Sequence, residues 1–459
     1  MNPAVSAPSR TLIRGATIVS MDDAVGDLRK GDILVDGDRI AAIAPDLGVV
    51  EADIVDGTDR VVIPGLVNAH MHTWQTALRG VASNWTLLEY FGWVHRGLAT
   101  RFRPDDVGIA TLAGAVGQID AGTTTLVDWC HNNPTPEHTD AAVDALFESG
   151  IRAVFLHGSP KPDPLPGRPH FSEVPHPRAE IQRLTRTRFM GRDRHVTLGM
   201  AILGPHYSTL DVARQDIRLA REFGLVASMH QGGGAPKSPG GWNTLVAEGL
   251  LGPDLNIVHG NDLDGELLAA MVEAGVSFSV TPENEMTQGH GIPITGRLRR
   301  LGVRPSMGVD IESVISSDLF TVARMGLACQ RLQDNMASRA EHGKIPDTTA
   351  VRTRDALSWI TVEGAKMLGM ADRIGSLAPG KQADLVILDA SRLNLWPVND
   401  PVASVVMQAG PGNVESVMIA GRFAKRDGRL LVGDVPALRR GLAASADRIL
   451  GELGLAAAA

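Results

Sequence analysis

His70 and His72, spaced His-x-His behind the apolar run Val61-Val-Ile-Pro-Gly-Leu-Val-Asn-Ala, are residues whose type and spacing point to chemistry. The run reads as a buried strand of apolar and β-branched residues. In extended backbone, residues two apart share a side, so both imidazoles can face one point, and one point served by two imidazoles suggests a metal. Alone, such a pair is more often two ordinary polar residues where a strand meets a loop. Downstream, however, the pattern recurs. The runs Leu225–Met229, Leu255–Val258 and Arg304–Val309 read as strands ending at His230, His259 and Asp310, and Val196–Leu203 is followed closely by His206. His or Asp at one strand end after another is hard to produce by chance.

The elements that must position these residues alternate. Strand-like runs are separated by helical periods, as where Leu210, Ala213, Ile217 and Ala220 share one face, opened by a capping box from Ser208 to Asp211 and closed by Gly224. Alternation over some 300 residues predicts an α/β chain with a parallel sheet closed as a (β/α)8 TIM-type barrel, whose chemistry belongs at the C-terminal mouth of the strands. Residues 10–60 instead form short β-like runs with turn signals such as Asp36-Gly37-Asp38, and similar runs return at Ala383–Leu388, Val414–Ala420 and Leu430–Val432. The expected organisation is a composite β-sandwich domain from residues 1–60 and 376–434, a barrel over 61–375, and a terminal helix within 435–459. That helix carries Leu438, Leu442, Ile449 and Leu453 toward a partner surface.

Composition narrows the function. A formal net charge of −8 and no Lys/Arg cluster argue against nucleic acid as a partner. Cys130 and Cys329 are too few for a disulfide framework or a cysteine-rich zinc site, so any metal is held by nitrogen and oxygen, and a reducing cytoplasm is the expected setting. No apolar run approaches the ~18 residues that span a bilayer. Gly375-Ser-Leu-Ala-Pro-Gly-Lys381 has the spacing of a phosphate-binding loop, but Gln382 stands where a hydroxyl must reach magnesium, and a strand follows instead of a helix.

The run Pro64-Gly-Leu-Val-Asn-Ala-His-Met-His with Leu78-Arg79-Gly80 resembles the first-strand signature of the amidohydrolase superfamily. It is most similar to the branch of cytosine, guanine and S-adenosylhomocysteine deaminases and triazine hydrolases. The resemblance continues through Gly122-Thr-Thr-Thr-Leu-Val-Asp, Gly204-Pro-His206, His230, Val258-His259-Gly260, Gly308-Val-Asp310 and the tail from Gly375 to Leu385, nearly the whole chain. It implies one divalent metal, zinc or alternatively iron, held by His70, His72, His230 and Asp310 with a water. Asp310 would also move the proton, His259 would orient the water or polarise substrate, and His206 would contact substrate. The implied activity is hydrolysis of a C–N bond of a small nitrogen heterocycle or cyclic amide, in a homodimer or larger homo-oligomer. The alternative is a non-hydrolytic relative, a lyase, decarboxylase or binding protein, using the same site.

One departure stands out. In the deaminases the fifth-strand His is followed three residues on by a Glu that shuttles a proton, whereas here the sequence is His230-Gln-Gly-Gly233. The stretch after the seventh strand offers Glu283, Glu285 and His290, with Glu285 the expected replacement acid and Glu283 and His290 expected at the substrate. Trp74, Trp85, Trp93 and Trp129 read as core or pocket wall, and Gln75, just after the ligand pair, as a substrate contact.

Overall fold

The computed structural model describes residues 10–190, 194–452 and 454. Eight parallel strands follow one another in sequence order: β1 (Leu66–Met71), β2 (Thr123–Cys130), β3 (Arg152–Gly158), β4 (Val196–Ala201), β5 (Ala227–Gln231), β6 (Leu255–His259), β7 (Ser277–Val280) and β8 (Ser306–Met307). The circle closes just beyond β8, where Asp310 N donates to His70 O at 2.9 Å and His72 N donates to Asp310 O at 2.8 Å. Closure needs a residue without a side chain at Gly308. A Cβ there would lie 2.5 Å from the backbone N and O of His70.

Alternate residues of the first strands face different partners, as a pleated strand requires. Val67, Ala69, Val127, Trp129, Val154 and Leu156 bury together, while Leu126, Cys130, Ala153 and Phe155 pack in a separate cluster with residues of the outer helices Pro104–Asp120 and Pro136–Ser149. A regular β1 would therefore send His70 away from the side shared by Val67 and Ala69. It does not, because the β1–β2 register steps from Asn68 opposite Leu126 to Met71 opposite Asp128, one extra residue on β1. This bulge re-aims His70 toward Trp129 and His230.

The run from Val61 to His72 is thus two strands in two sheets. Arg60–Pro64 pairs antiparallel with Leu385–Asp389 and parallel with part of Thr11–Ile18, and only after Gly65 does the chain enter the barrel. Gly65 permits the switch, since a Cβ there would sit 2.1 Å from Thr124 Oγ1. Both halves are buried, so the apolar run hides the break.

The sheet built from the two ends is mixed and nine-stranded. It curls until Ile40 N reaches Lys381 O at 2.9 Å, and Ile40 shares one cluster with Met418 from far across the sheet. The other sheet face, through Ile63, Val386 and Val417, packs in the cluster that also holds the barrel helices. A buried ion pair crosses that boundary. Arg152 at the start of β3 donates Nε–H to Asp384 Oδ2 at 2.9 Å, and Asp384 Oδ1 accepts from Ala420 N at 2.7 Å.

The terminal helix, Val435–Gly451, finds its partner surface within the chain. Leu438 packs with Val116 of the helix Pro104–Asp120, and Ser445 Oγ donates to Asp106 Oδ1 at 2.7 Å. Leu453 lies outside the described residues. Among the described residues no helix is long and apolar enough to cross a membrane.

Candidate metal centre and its cavity

Four strand ends deliver four donors. His70 and His72 come from the end of β1, His230 from β5, and Asp310 from the turn after β8, all buried, with one ligand atom each lying within 4.8 Å of the others. His70 Nε2 stands 3.1 Å from His230 Nε2 and 3.3 Å from Asp310 Oδ1, and His72 Nε2 stands 3.4 Å from the same oxygen. Metal–ligand bonds of ~2.0–2.2 Å in a tetrahedron place neighbouring donors ~3.4 Å apart, so these separations suit the edges of such a shell.

Protonation suits it too. Burial, then the neighbouring His70, pushes the His72 imidazole down to about 3, and burial holds His70 below and His230 well below the usual histidine range. Neutral imidazoles are the form that binds metal. His72 donates Nδ1–H to Trp129 O at 2.5 Å, which leaves its Nε2 lone pair for an ion. Burial pushes the Asp310 carboxyl up, but the hydrogen bond from His70 and then the charge of His259 are the largest of the effects that outweigh it and hold Asp310 below the usual carboxylate range. Two neutral ring nitrogens facing each other beside a carboxylate make a donor set that a cation would satisfy.

Asp310 and His259 have φ values of 76° and 68°, a region costly for residues other than glycine. The closing hydrogen bonds to His70 and His72 hold Asp310 there. Its Oδ2 accepts from Asn284 Nδ2 at 2.7 Å and from Thr281 Oγ1 at 3.3 Å. His259 has its Nε2 3.8 Å from Asp310 Oδ2 and donates Nδ1–H to Glu285 Oε1 at 3.3 Å. Burial lowers His259, yet the Glu285 hydrogen bond and the Asp310 charge bring it above the usual histidine value.

Glu285 is fully buried behind His259, where Thr281 N donates to Oε1 at 2.8 Å and Asn261 Nδ2 to Oε2 at 3.0 Å. The stretch expected to be a loop is a short helix, Pro282–Gln288, so Glu283 and Glu285 diverge. Glu283 accepts from Ser316 Oγ at 2.5 Å, away from the cavity wall. His290 lines the cavity, its ring 4.3 Å from that of His259. Gln75 is buried behind the wall, donating to Tyr90 Oη at 2.6 Å and accepting from Ser313 Oγ at 2.7 Å. His206 is buried next to Tyr207, and Tyr207 is the one of the two that reaches the cavity.

The cavity over the four donors measures about 30 Å³, room for a water or two. Leu87, Tyr90, Phe91 and His95 from one segment line it together with His131, Lys161, Tyr207, Asn284 and Gln288. Sequence reading missed these residues. Only Pro282, a residue favoured in a helix's first turn, signalled that Asn284 and Gln288 would share a helix.

Behind the ligands, Asp128 accepts from Thr73 N at 3.2 Å and Thr73 Oγ1 at 2.7 Å, both on Oδ1, and its Oδ2 has no partner among the described residues. Burial pushes its carboxyl up to about 7, above the ordinary Asp value of 3.8. A raised folded-state value means that stability is present at low pH, is lost as pH rises from ~4 toward ~7, and stays lost above. Asp128→Asn keeps the acceptor and removes the charge. It is expected to raise stability at pH 8 by up to ~4 kcal/mol and to change it little near pH 4. Urea midpoints measured at both pH values decide this, and equal effects at both would refute it.

Comparisons with known proteins agree with this geometry. Residues 61–424 match the amidohydrolase family. The chain is 27% identical over 431 residues to a 5'-deoxyadenosine deaminase of Methanothermobacter thermautotrophicus, covering 92% of this chain and 94% of that one. It is 27% identical to a 5-methylthioadenosine/S-adenosylhomocysteine deaminase of Symbiobacterium thermophilum, covering 91% and 94%. Among solved structures, a zinc-complexed atrazine chlorohydrolase of Arthrobacter aurescens TC1 has the same fold, with a TM-score of 0.81 at 20% identity over 95% of this chain and 100% of that one. An adenosine deaminase of Xanthomonas campestris with bound zinc superposes with a TM-score of 0.79 at 24% identity over 97% and 99%. With a barrel whose strand ends gather three histidines and an aspartate, and a family match over most of its length, the chain belongs to the amidohydrolase family and is a hydrolase of carbon–nitrogen bonds.

Proposed function

We propose that one divalent metal ion, held by His70, His72, His230 and Asp310, serves the hydrolysis by water of a C–N bond in a small nitrogen heterocycle or cyclic amide. The observation that carries this reading is the convergence of the four buried donors at tetrahedral spacing on the mouth of the barrel. The deaminase relatives support a heterocyclic amine as the substrate class. Zinc suits the nitrogen-rich donor set, with iron the alternative. When bound, such an ion lowers the pKa of a water toward ~7 and polarises the electrophile.

The chain's own residues supply the rest. Asp310 takes the proton from the attacking water and passes it to the leaving nitrogen, with Asn284 and Thr281 holding its Oδ2 in place. His259 polarises the substrate from its Nε2, and Glu285 is the positioning residue that fixes its tautomer through Nδ1. His290 contacts substrate from the wall, and Gln75 and His206 act from behind it through Tyr90 and Tyr207. A ring-sized substrate displaces part of the wall formed by Leu87, Tyr90 and Phe91, since the cavity holds little more than water. Two or more copies of the chain in a reducing cytoplasm, which suits its two free cysteines, complete the proposal.

The test incubates zinc-loaded protein in ¹⁸O water with aminopyrimidines, aminopurines, aminotriazines and cyclic amides. The expected result is one labelled oxygen in the product, with ammonia released from the amines. A product that carries no label, or one that has lost carbon dioxide, would instead identify a lyase or decarboxylase.

A further inference from the structure

Lys161 is a buried charge outside the candidate donor set. Its residue is only 8% exposed, and among the described residues no carboxylate lies within ion-pairing distance of Nζ and no acceptor takes its hydrogens. It lines the cavity over the four donors. Its ammonium instead faces aromatic rings, 4.4 Å from the centroid of Tyr207, 5.8 Å from Trp129 and 5.9 Å from Phe91. Tyr207 is held for this role by donating Oη–H to Gly232 O at 2.6 Å. Ring faces offset part of the cost of burying a cation, but not the loss of its hydration shell. A buried lysine without a counter-ion therefore signals a partner that arrives from outside.

The position of the charge says what that partner is. A Cβ on Gly233 would lie 3.0 Å from Tyr207 Oη and 3.0 Å from Leu87 Cδ2, so a side chain there would project into the wall that Lys161 shares. Glycine leaves that wall without a negative group, and Glu283 and Glu285 are engaged elsewhere. Among the described residues Asp310 is the only carboxylate lining the cavity, and it is one of the four candidate donors. Among the described residues no arginine lines it, so recognition falls to a single point cation and not to a fork. Burial brings Lys161 down to about 8, against the charge of Asp310, which raises it from beyond ion-pairing distance.

From this geometry we infer that Lys161 is a specificity-determining residue that pairs with a carboxylate on the substrate, so that the ring presented for hydrolysis is a carboxylated one. This rests on the hydrolase reading above, and the closing experiment separates the two because it reads binding as well as turnover.

Zinc-loaded wild type, Lys161→Met, Lys161→Gln and Lys161→Arg are titrated calorimetrically with benzoate and pyrimidine carboxylates, each matched with its carboxamide. Metal content and melting temperature check that every variant folds. Wild type is expected to prefer the carboxylate by ~10-fold or more, the scale of one charge-assisted hydrogen bond. Lys161→Met and Lys161→Gln should bring the preference within ~2-fold, and Lys161→Arg should retain part of it. With its unpaired buried charge removed, Lys161→Met should also melt no lower than wild type. A preference that survives both neutral substitutions would mean that the ion reads the carboxylate, and equal or absent binding of the pair by wild type would leave Lys161 nothing to read. Either result overturns the inference. Failure to hydrolyse any ring in the panel would overturn the hydrolase reading alone.

Discussion

Alanine at His70, His72, His230 or Asp310 is expected to strip the protein of metal and to lower turnover by ~10³-fold or more. Each supplies one of four donors, so losing one removes both affinity and geometry from the shell. The loss is selective, because the four residues stand on strand ends whose packing lies elsewhere, in residues such as Val67, Val127 and Ile257. Asp310 needs a second variant. Its φ of 76° is costly for alanine, whereas asparagine enters that region more readily, so Asp310→Asn isolates the lost charge from backbone strain. Elemental analysis, kcat and melting temperature are measured together. A variant that keeps stoichiometric metal and activity within tenfold of wild type would remove that residue from the ligand set.

The pair behind the ligands should behave in the opposite way. His259→Asn, chosen because asparagine tolerates the φ of 68°, is expected to keep its metal and lose ~10²-fold in kcat, the scale of a polarising or acid–base group. Glu285→Gln should also keep metal and lose ~10-fold or more. Its carboxylate accepts from His259, Thr281 and Asn261 together, and an amide can hold the acceptor set only by placing one NH2 against a donor. Glu283→Gln, which disturbs only the contact with Ser316, should change kcat less than twofold. Full activity in Glu285→Gln would show that His259 needs no carboxylate behind it. Loss of metal from His259→Asn would move His259 into the shell.

Much of this was legible in the sequence, for physical reasons. Strand ends carry their chemistry at fixed places, so His70, His72, His230 and Asp310 could be read from periodicity and resemblance, as could the barrel and the pairing of the chain ends. The apolar run through Val61 concealed a change of sheet, because buried strands of either sheet show the same pattern and only the crowding at Gly65 marks the switch. The β1 bulge was equally silent, since alternation predicts that His70 and His72 agree with each other but not which way both point. Glu283 and Glu285 looked equivalent in a loop and parted once the segment became helical. Lys161, Tyr207 and His131 come from connections after three different strands, where no periodicity reports which side chain turns inward.

The strand Arg60–Pro64 carries a consequence in time. Its antiparallel neighbour, Leu385–Asp389, leaves the ribosome ~320 residues later, about 15–60 s at ~5–20 residues per second. During that interval Val61, Val62 and Ile63 have an open edge, and the chain immediately after them already holds His70 and His72. A nascent chain in this state exposes a β-rich hydrophobic edge that invites pairing with another nascent chain. Truncation before Leu385 should therefore yield insoluble protein even though all eight barrel strands are present. Supplying residues 376–452 as a separate chain during synthesis should recover soluble material.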